Sequence, residues 1–388
     1  MYDVVIVGGG IAGLNTAYRL PKSLKILVLE KYTVGGKIDT YHDEVMTVEV
    51  GAARFNTGHV HLQKLLREMG LISKLQPLPR GDPTFIPTKG TPVIPAKPLW
   101  DKLRKCKRPK SKDVSFGDYC REVLNDDEME NLIGSFGYYT EFVIMNASDT
   151  FRLMHAYSKP FYILKGGLSQ LVHKLLSKLK HVEFRKEHVK NIQYINGQFI
   201  VSTESGKTFE APICVAAVPR SALEKIPMFK PLKPMLAYIK TSPLCRIYAV
   251  VGDVLTKKLT TDNDLRFVIP MSKNVALVSY TDGKYADRWK RLQDAGGVRE
   301  VNKKLTADLD EIGVHTTVKH TKVFYWPEGV GYWGLGADSK AIENAVLQPF
   351  ARIPLFVCGE NYSYAHQQWM EGALETSEKV VRKIELLL

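Results

Sequence analysis

The sequence is poor in the features that mark secreted, metal-bound or membrane-spanning chains. Its five cysteines, Cys106, Cys120, Cys214, Cys245 and Cys358, are odd in number, widely spaced and contain no C-x-x-C pair, which argues against a disulfide framework and a zinc site. No metal site is expected. No run of 18 apolar residues occurs, so no membrane span is expected. No secretory leader is expected either, because the first strand pattern starts almost at Met1 with Asp3 inside it. Reduced cysteines and no leader together point to a cytoplasmic location. Acidic residues are also scarce: 41 Asp and Glu face 54 Lys and Arg, a formal net charge of +13, which favours anionic ligands or surfaces. Seven of those cations fall in residues 102–112, but no aromatic residue interrupts them to stack on bases. A solvated basic face is therefore expected, nucleic-acid binding is not, and contact with a polyanion stays open.

What is present begins in residues 2–30. An apolar strand from Val4 to Val7 runs into Gly8-Gly9-Gly10-Ile11-Ala12-Gly13, then an apolar-faced helix, then a second strand at residues 26–29 closed by Glu30. Each glycine has a use: a tight turn at Gly8, backbone approach to a pyrophosphate at Gly10, and close helix–strand packing at Gly13. The helix start faces the phosphates with partial positive charge. Glu30 suits a ribose with free hydroxyls. A dinucleotide site follows from strand, turn, helix, strand and acid falling together.

After Glu30 and Lys31 come Gly35-Gly36-Lys37 and then Gly51-Ala52-Ala53-Arg54. With these the chain resembles the FAD-binding domain of the flavin amine oxidase family, the monoamine, polyamine and L-amino-acid oxidases. Lys37 stands where that family has arginine. The resemblance implies a Rossmann-like α/β FAD-binding domain built from three segments, residues 1–75, 165–235 and 325–388. An interleaved α+β substrate domain, residues 76–164 and 236–324, completes the expected organisation. It implies adenine contact by the Val189 backbone and FAD contacts at Gly359 and Glu360. It also implies a helix start, Trp369, Met370, Glu371 and Ala373, facing the flavin, and FAD held non-covalently because Gly331 stands where flavinylated members carry cysteine.

The same resemblance places an aromatic pair at Tyr332 and Trp369, with Trp326 just upstream, and puts Arg246 where a lysine normally holds water against flavin N5. Arginine does not lose its proton, so the use of oxygen is in question. Arg54 matches a carboxylate-binding arginine of the L-amino-acid oxidases; contact with flavin or a neighbouring acid is the alternative. The leading expectation is an FAD-dependent oxidase that takes hydride from the carbon beside an amine nitrogen to flavin N5, with oxygen reduced to hydrogen peroxide. An FAD-dependent desaturase or isomerase, or an FAD-binding scaffold protein, are the alternatives.

Local patterns are also legible. Residues 59–69 read as an amphipathic helix ended by Gly70, with His59 and His61 structural at its start. Prolines break residues 77–98. Residues 116–147 read as helical and aromatic-rich, interrupted at Gly134 and Gly137, and Asn196-Gly197 reads as a hairpin turn. Strands are expected near residues 239–251, 266–269 and 275–279, and a helix at residues 299–309.

Overall fold

The computed structural model describes residues 1–388 except 79–80, 107–111, 155–158, 253 and 273. Most of the basic run, residues 107–111, thus lies outside the described residues; its beginning closes the helix Ala96–Lys105. The chain forms two compact units, one of Met1–Leu78, Arg152–Ile239 and Ala337–Leu388, the other of Pro79–Phe151 and Lys240–Gly336.

The first unit is α/β. Five parallel strands run in the order Leu355–Val357, Ile213–Ala216, Val4–Val7, Ile26–Glu30 and Glu183–Lys186. Val4–Val7 is apolar and buried at every residue, as a central parallel strand covered on both faces must be. The helix Ile11–Arg19 packs against Met370–Glu385, and Asn15 donates from Nδ2 to Ser377 Oγ at 2.8 Å across the seam. Gly13 permits the close approach of that helix to the strand it follows: a Cβ there would lie 2.0 Å from the Gly8 carbonyl oxygen. The hairpin falls at Asn196-Gly197, both with positive φ, between Val189–Ile195 and Gln198–Thr203. The amphipathic helix is Val60–Glu68, followed by Gly70 at φ 68°.

The second unit carries a mixed six-stranded sheet. Its order is Lys319–Trp333, Ile239–Val250, Val275–Asp282, Phe267–Pro270, Leu259–Thr261 and Thr84–Ile86. The helical stretch resolves into Phe116–Val123, Asp126–Phe136, Thr140–Ile144 and Ala147–Met154. Gly134 does not interrupt: it sits inside Asp126–Phe136, while Gly137 at φ 81° ends it. The helix expected at residues 299–309 is the second half of Gly283–Glu311, which kinks at Gly296 and Gly297. Among the described residues no helix is long and apolar enough to cross a membrane.

Candidate functional site

Parallel pairing puts the carboxyl ends of Val4–Val7, Ile26–Glu30, Ile213–Ala216 and Leu355–Val357 at one edge of the first unit's sheet. That edge is where open α/β sheets bind ligands. Gly8, Glu30 and Gly359 all leave from it. Gly35 donates its N–H to the Gly9 carbonyl at 2.9 Å, which brings Gly36 against Gly10. Ala52 donates to the Lys37 carbonyl at 2.8 Å, so the segment of Gly51, Ala52, Ala53 and Arg54 lies beside the same turn. Glu187 donates its N–H to the Glu30 carbonyl at 2.9 Å, and Val189 begins the next strand, buried, two residues on.

The Glu30 carboxylate accepts from the Gly9 N–H at 2.6 Å and from the Tyr32 N–H at 2.7 Å, which fixes its position at the strand end. Lys31 points elsewhere, its ammonium 4.6 Å from the Tyr32 ring centre. The helix Ile11–Arg19 begins at Gly10 with no side-chain cap, so the N–H groups of its first turn, including Ile11 and Ala12, keep their donors for another acceptor. A Cβ on Gly10 would meet no atom within 4 Å, an open cradle at a helix start.

A second uncapped helix start lies in the same unit. Met370–Glu385 begins after Trp369 with no side-chain cap. Gln368, directly before it, has φ 76°, a conformation uncommon for a residue with a side chain and one that clusters at functional positions. Glu360 helps hold this turn: its Oε1 accepts from the Gln368 N–H at 2.7 Å, and its Oε2 lies 4.0 Å from the Lys37 ammonium. Met370 and Ala373 are buried in the first turn. Glu371 is turned the other way, accepting from the N–H groups of His61 and Leu62 at 2.8 and 2.9 Å and so capping Val60–Glu68. Burial raises its carboxyl pKa, against which those two amides act.

Around Trp369 the first unit assembles an aromatic cluster. Phe161 stacks on it with ring centres 5.7 Å apart, and the Arg54 guanidinium lies 5.3 Å from the Phe161 centre. His59 meets Trp369 edge-on at 4.9 Å and His366 at 6.2 Å. Burial, and then the neighbouring His366, hold the His59 pKa down at about 3, so its ring is neutral near pH 7. Neither ring nitrogen of His59 has a hydrogen-bond partner among the described residues. Sequence reasoning gave His59 only a structural place, and Phe161, after Lys159-Pro160, carried no signal at all.

Arg246 and Tyr332 belong to the second unit, on neighbouring strands of its sheet. Arg246 is buried, donates to the Tyr248 hydroxyl at 3.2 Å and lies 4.5 Å from the Tyr280 ring centre. Burial pulls its pKa down, but Tyr248 and Tyr280 outweigh it and the net shift is upward. This guanidinium is a fixed cation. Tyr332 is buried on Lys319–Trp333, the strand that also carries Trp326.

These residues fit an FAD in the first unit. An open glycine cradle and two uncapped helix starts offer N–H donors for anionic or electron-rich groups, and a carboxylate stands at the strand end for a ribose.

Comparison with known proteins gives the same direction. Residues 110–384 match the family model for flavin containing amine oxidoreductase, and residues 6–69 match that for a NAD(P)-binding Rossmann-like domain. The chain is similar to the coproporphyrinogen III oxidase of Staphylococcus aureus, 28% identical over 34% of this chain and 34% of that one. The match thus spans about a third of that relative's length. It is also similar to amine oxidase [flavin-containing] A of Canis lupus familiaris, 21% identical over 99% of this chain and 85% of that protein. Among solved structures, a putative protoporphyrinogen oxidase from Exiguobacterium sp. 255-15 superposes with a TM-score of 0.76 at 18% identity, covering 100% and 99% of the two chains. A redesigned putrescine oxidase superposes with a TM-score of 0.78 at 15% identity, covering 99% of each.

Proposed function

We propose, from the premise that this chain belongs to the flavin containing amine oxidoreductase family, that it oxidises an amine or amino acid to an imine in an FAD-dependent reaction. The observation that carries this reading is the cluster of Trp369, Phe161 and Arg54 at the uncapped start of Met370–Glu385. In this reading Gly8, Gly10, Ile11, Ala12 and Gly13 cradle the pyrophosphate, and Glu30 meets the ribose. Val189 borders the adenine. Gly36, Lys37 and residues 51–53 line the diphosphate path, with Gly359 and Glu360 at its far end. Met370, Glu371 and Ala373 lend backbone N–H groups to the flavin edge, and Gly331 leaves FAD non-covalently held.

When bound, FAD supplies the hydride acceptor. The chain's own residues bind and orient. The face of Trp369 turned away from Phe161 attracts an amine or ammonium, a contribution of up to about 2 kcal/mol when water is excluded. The neutral His59 adds no positive charge to repel the substrate nitrogen, and Arg54 is the partner for a substrate carboxylate. N–H groups at the start of Met370–Glu385 stabilise negative charge that develops next to them. Outside the site the imine hydrolyses to a carbonyl compound and ammonia, and oxygen takes the electrons as hydrogen peroxide.

A second reading, dehydrogenation of a non-amine such as a porphyrinogen, is favoured by the relatives described as coproporphyrinogen III oxidases and by Arg246 in place of the expected lysine. Substrate class separates at Arg54. Cutting one member from a buried charge pair costs on the order of 2–5 kcal/mol. Arg54→Ala should therefore raise KM for an amino acid at least tenfold while leaving a simple amine nearly unchanged. Equal losses on both, with FAD lost, would move Arg54 to the cofactor.

A further inference from the structure

The second unit contains a cavity that the flavin reading does not use. It has a volume of about 160 Å³ and is walled by Phe85, Tyr139 and Tyr285, with Arg266, Lys89, Asp262 and Glu130 as its charged residues. Arg266 is buried and adopts φ 57°, a strained conformation for arginine. Its guanidinium donates to the carbonyls of Ile133 at 2.6 Å, Thr261 at 3.1 Å and Gly137 at 3.2 Å. Two of those carbonyls belong to the end of Asp126–Phe136, where a cation also opposes the negative end of the helix. Tyr285 lies under it at 4.9 Å.

That role as a cap does not exhaust the group. A guanidinium has five N–H donors, and three are spent, which leaves two. A buried cation ordinarily has a carboxylate partner, because removal from water costs several kcal/mol. Arg266 makes no contact ion pair among the described residues; burial pulls its pKa down on balance, although Asp282, Asp262 and Asp264 act on it from further away, and Asp262 lines the same cavity. Asp262 in turn makes no contact ion pair among the described residues: one of its oxygens accepts from both the N–H and the hydroxyl of Thr88 at 2.8 Å, and the other has no hydrogen bond there. Two opposite charges thus line one cavity without direct contact between them.

We infer that this cavity is a binding site for a small zwitterion, its carboxylate on the two unspent N–H groups of Arg266 and its ammonium on Asp262, with Glu130 at the rim. The tyrosine and phenylalanine faces take the aliphatic body between the charges. A small ligand that carries both charges, such as an amino acid, satisfies both groups at once. An anion alone reaches Arg266 but faces Asp262 unmatched, and a cation alone meets the converse. The site lies within the second unit and does not depend on which substrate the flavin oxidises.

The test is calorimetric titration of the FAD-loaded protein with 2-aminoisobutyrate, a zwitterion whose α-carbon carries no hydrogen and so cannot lose hydride. Isobutyrate and isopropylamine supply each charge singly. The inference expects saturable binding of 2-aminoisobutyrate, at least tenfold weaker binding of the two single-charge compounds, and no change in flavin absorption. Asp262→Asn, which keeps an oxygen for Thr88, should weaken 2-aminoisobutyrate at least tenfold with an unchanged melting temperature. This variant is preferred because Arg266 also caps a helix. Absence of binding, equal binding of isobutyrate, undiminished binding to Asp262→Asn, or a flavin spectral change that tracks occupancy would each overturn the inference.

Discussion

Gly10 offers the sharpest separation of cofactor binding from folding. Its φ of −71° and ψ of 179° are open to any residue, and a Cβ added there meets nothing within 4 Å. Gly10→Ala should therefore cost the apoprotein nothing; by reducing the freedom of the unfolded chain it should raise stability by about 0.4–1 kcal/mol. For FAD the same methyl group stands in the cradle and holds the pyrophosphate away from the helix-start N–H groups. Losing one hydrogen bond to a charged group removes about 1.5–3 kcal/mol, or roughly 10- to 150-fold in affinity. Gly13→Ala is the control with the opposite signature: its Cβ would sit 2.0 Å from the Gly8 carbonyl oxygen, so the fold itself should weaken, by about 1–3 kcal/mol. Urea unfolding of the apoproteins gives the stabilities, and quenching of flavin fluorescence gives the affinities. A stable Gly10→Ala protein that binds FAD as tightly as the parent would refute a pyrophosphate at this turn.

His59 supplies a pH test. Its folded pKa is near 3 and its ordinary value is 6.5, so below pH 6.5 the unfolded chain gains a proton that the folded chain refuses. Stability should then fall by roughly 1.4 kcal/mol per pH unit between those values. Between pH 7.5 and pH 5 the parent should lose about 2 kcal/mol more than His59→Gln, measured by urea unfolding; equal losses would contradict a buried neutral ring. Arg246→Lys should speed the return of reduced flavin to its oxidised form in air without altering anaerobic reduction, and an unchanged or slower return would remove Arg246 from the oxygen step. Heat or acid precipitation should release free FAD, given Gly331, and colour retained in the pellet would show a covalent bond.

The parts of the molecule that could be read from sequence are those whose chemistry is local. The Gly8 to Gly13 turn, Glu30 and the Asn196-Gly197 hairpin each need a particular backbone, and few residue types satisfy it. Lys319–Trp333 went unread because Pro327, Gly329 and Gly331 resemble strand breakers, yet the strand continues through all three. The first half of Gly283–Glu311 was missed for a related reason: residues 287–294 are mostly polar or charged, and the Gly296-Gly297 kink breaks the helical period. At the site, Trp369 was legible through its place before a glycine-containing helix start. Phe161 and His59 were not, since what sets them there is contact between segments more than 200 residues apart in the chain, and no spacing encodes that. Arg246 was noticed as a substitution, but its seating on Tyr248 and Tyr280 emerges only from sheet register.

The central claim is that this chain holds FAD to oxidise a carbon beside nitrogen. Anaerobic mixing of the FAD-loaded protein with amines, amino acids and non-amine reductants such as porphyrinogens, followed at the flavin absorption band, tests it most directly. Bleaching by an amine or an amino acid, slowed by deuterium on the carbon next to nitrogen, is the predicted result. Bleaching by a non-amine alone, or by nothing while FAD stays bound, would contradict it.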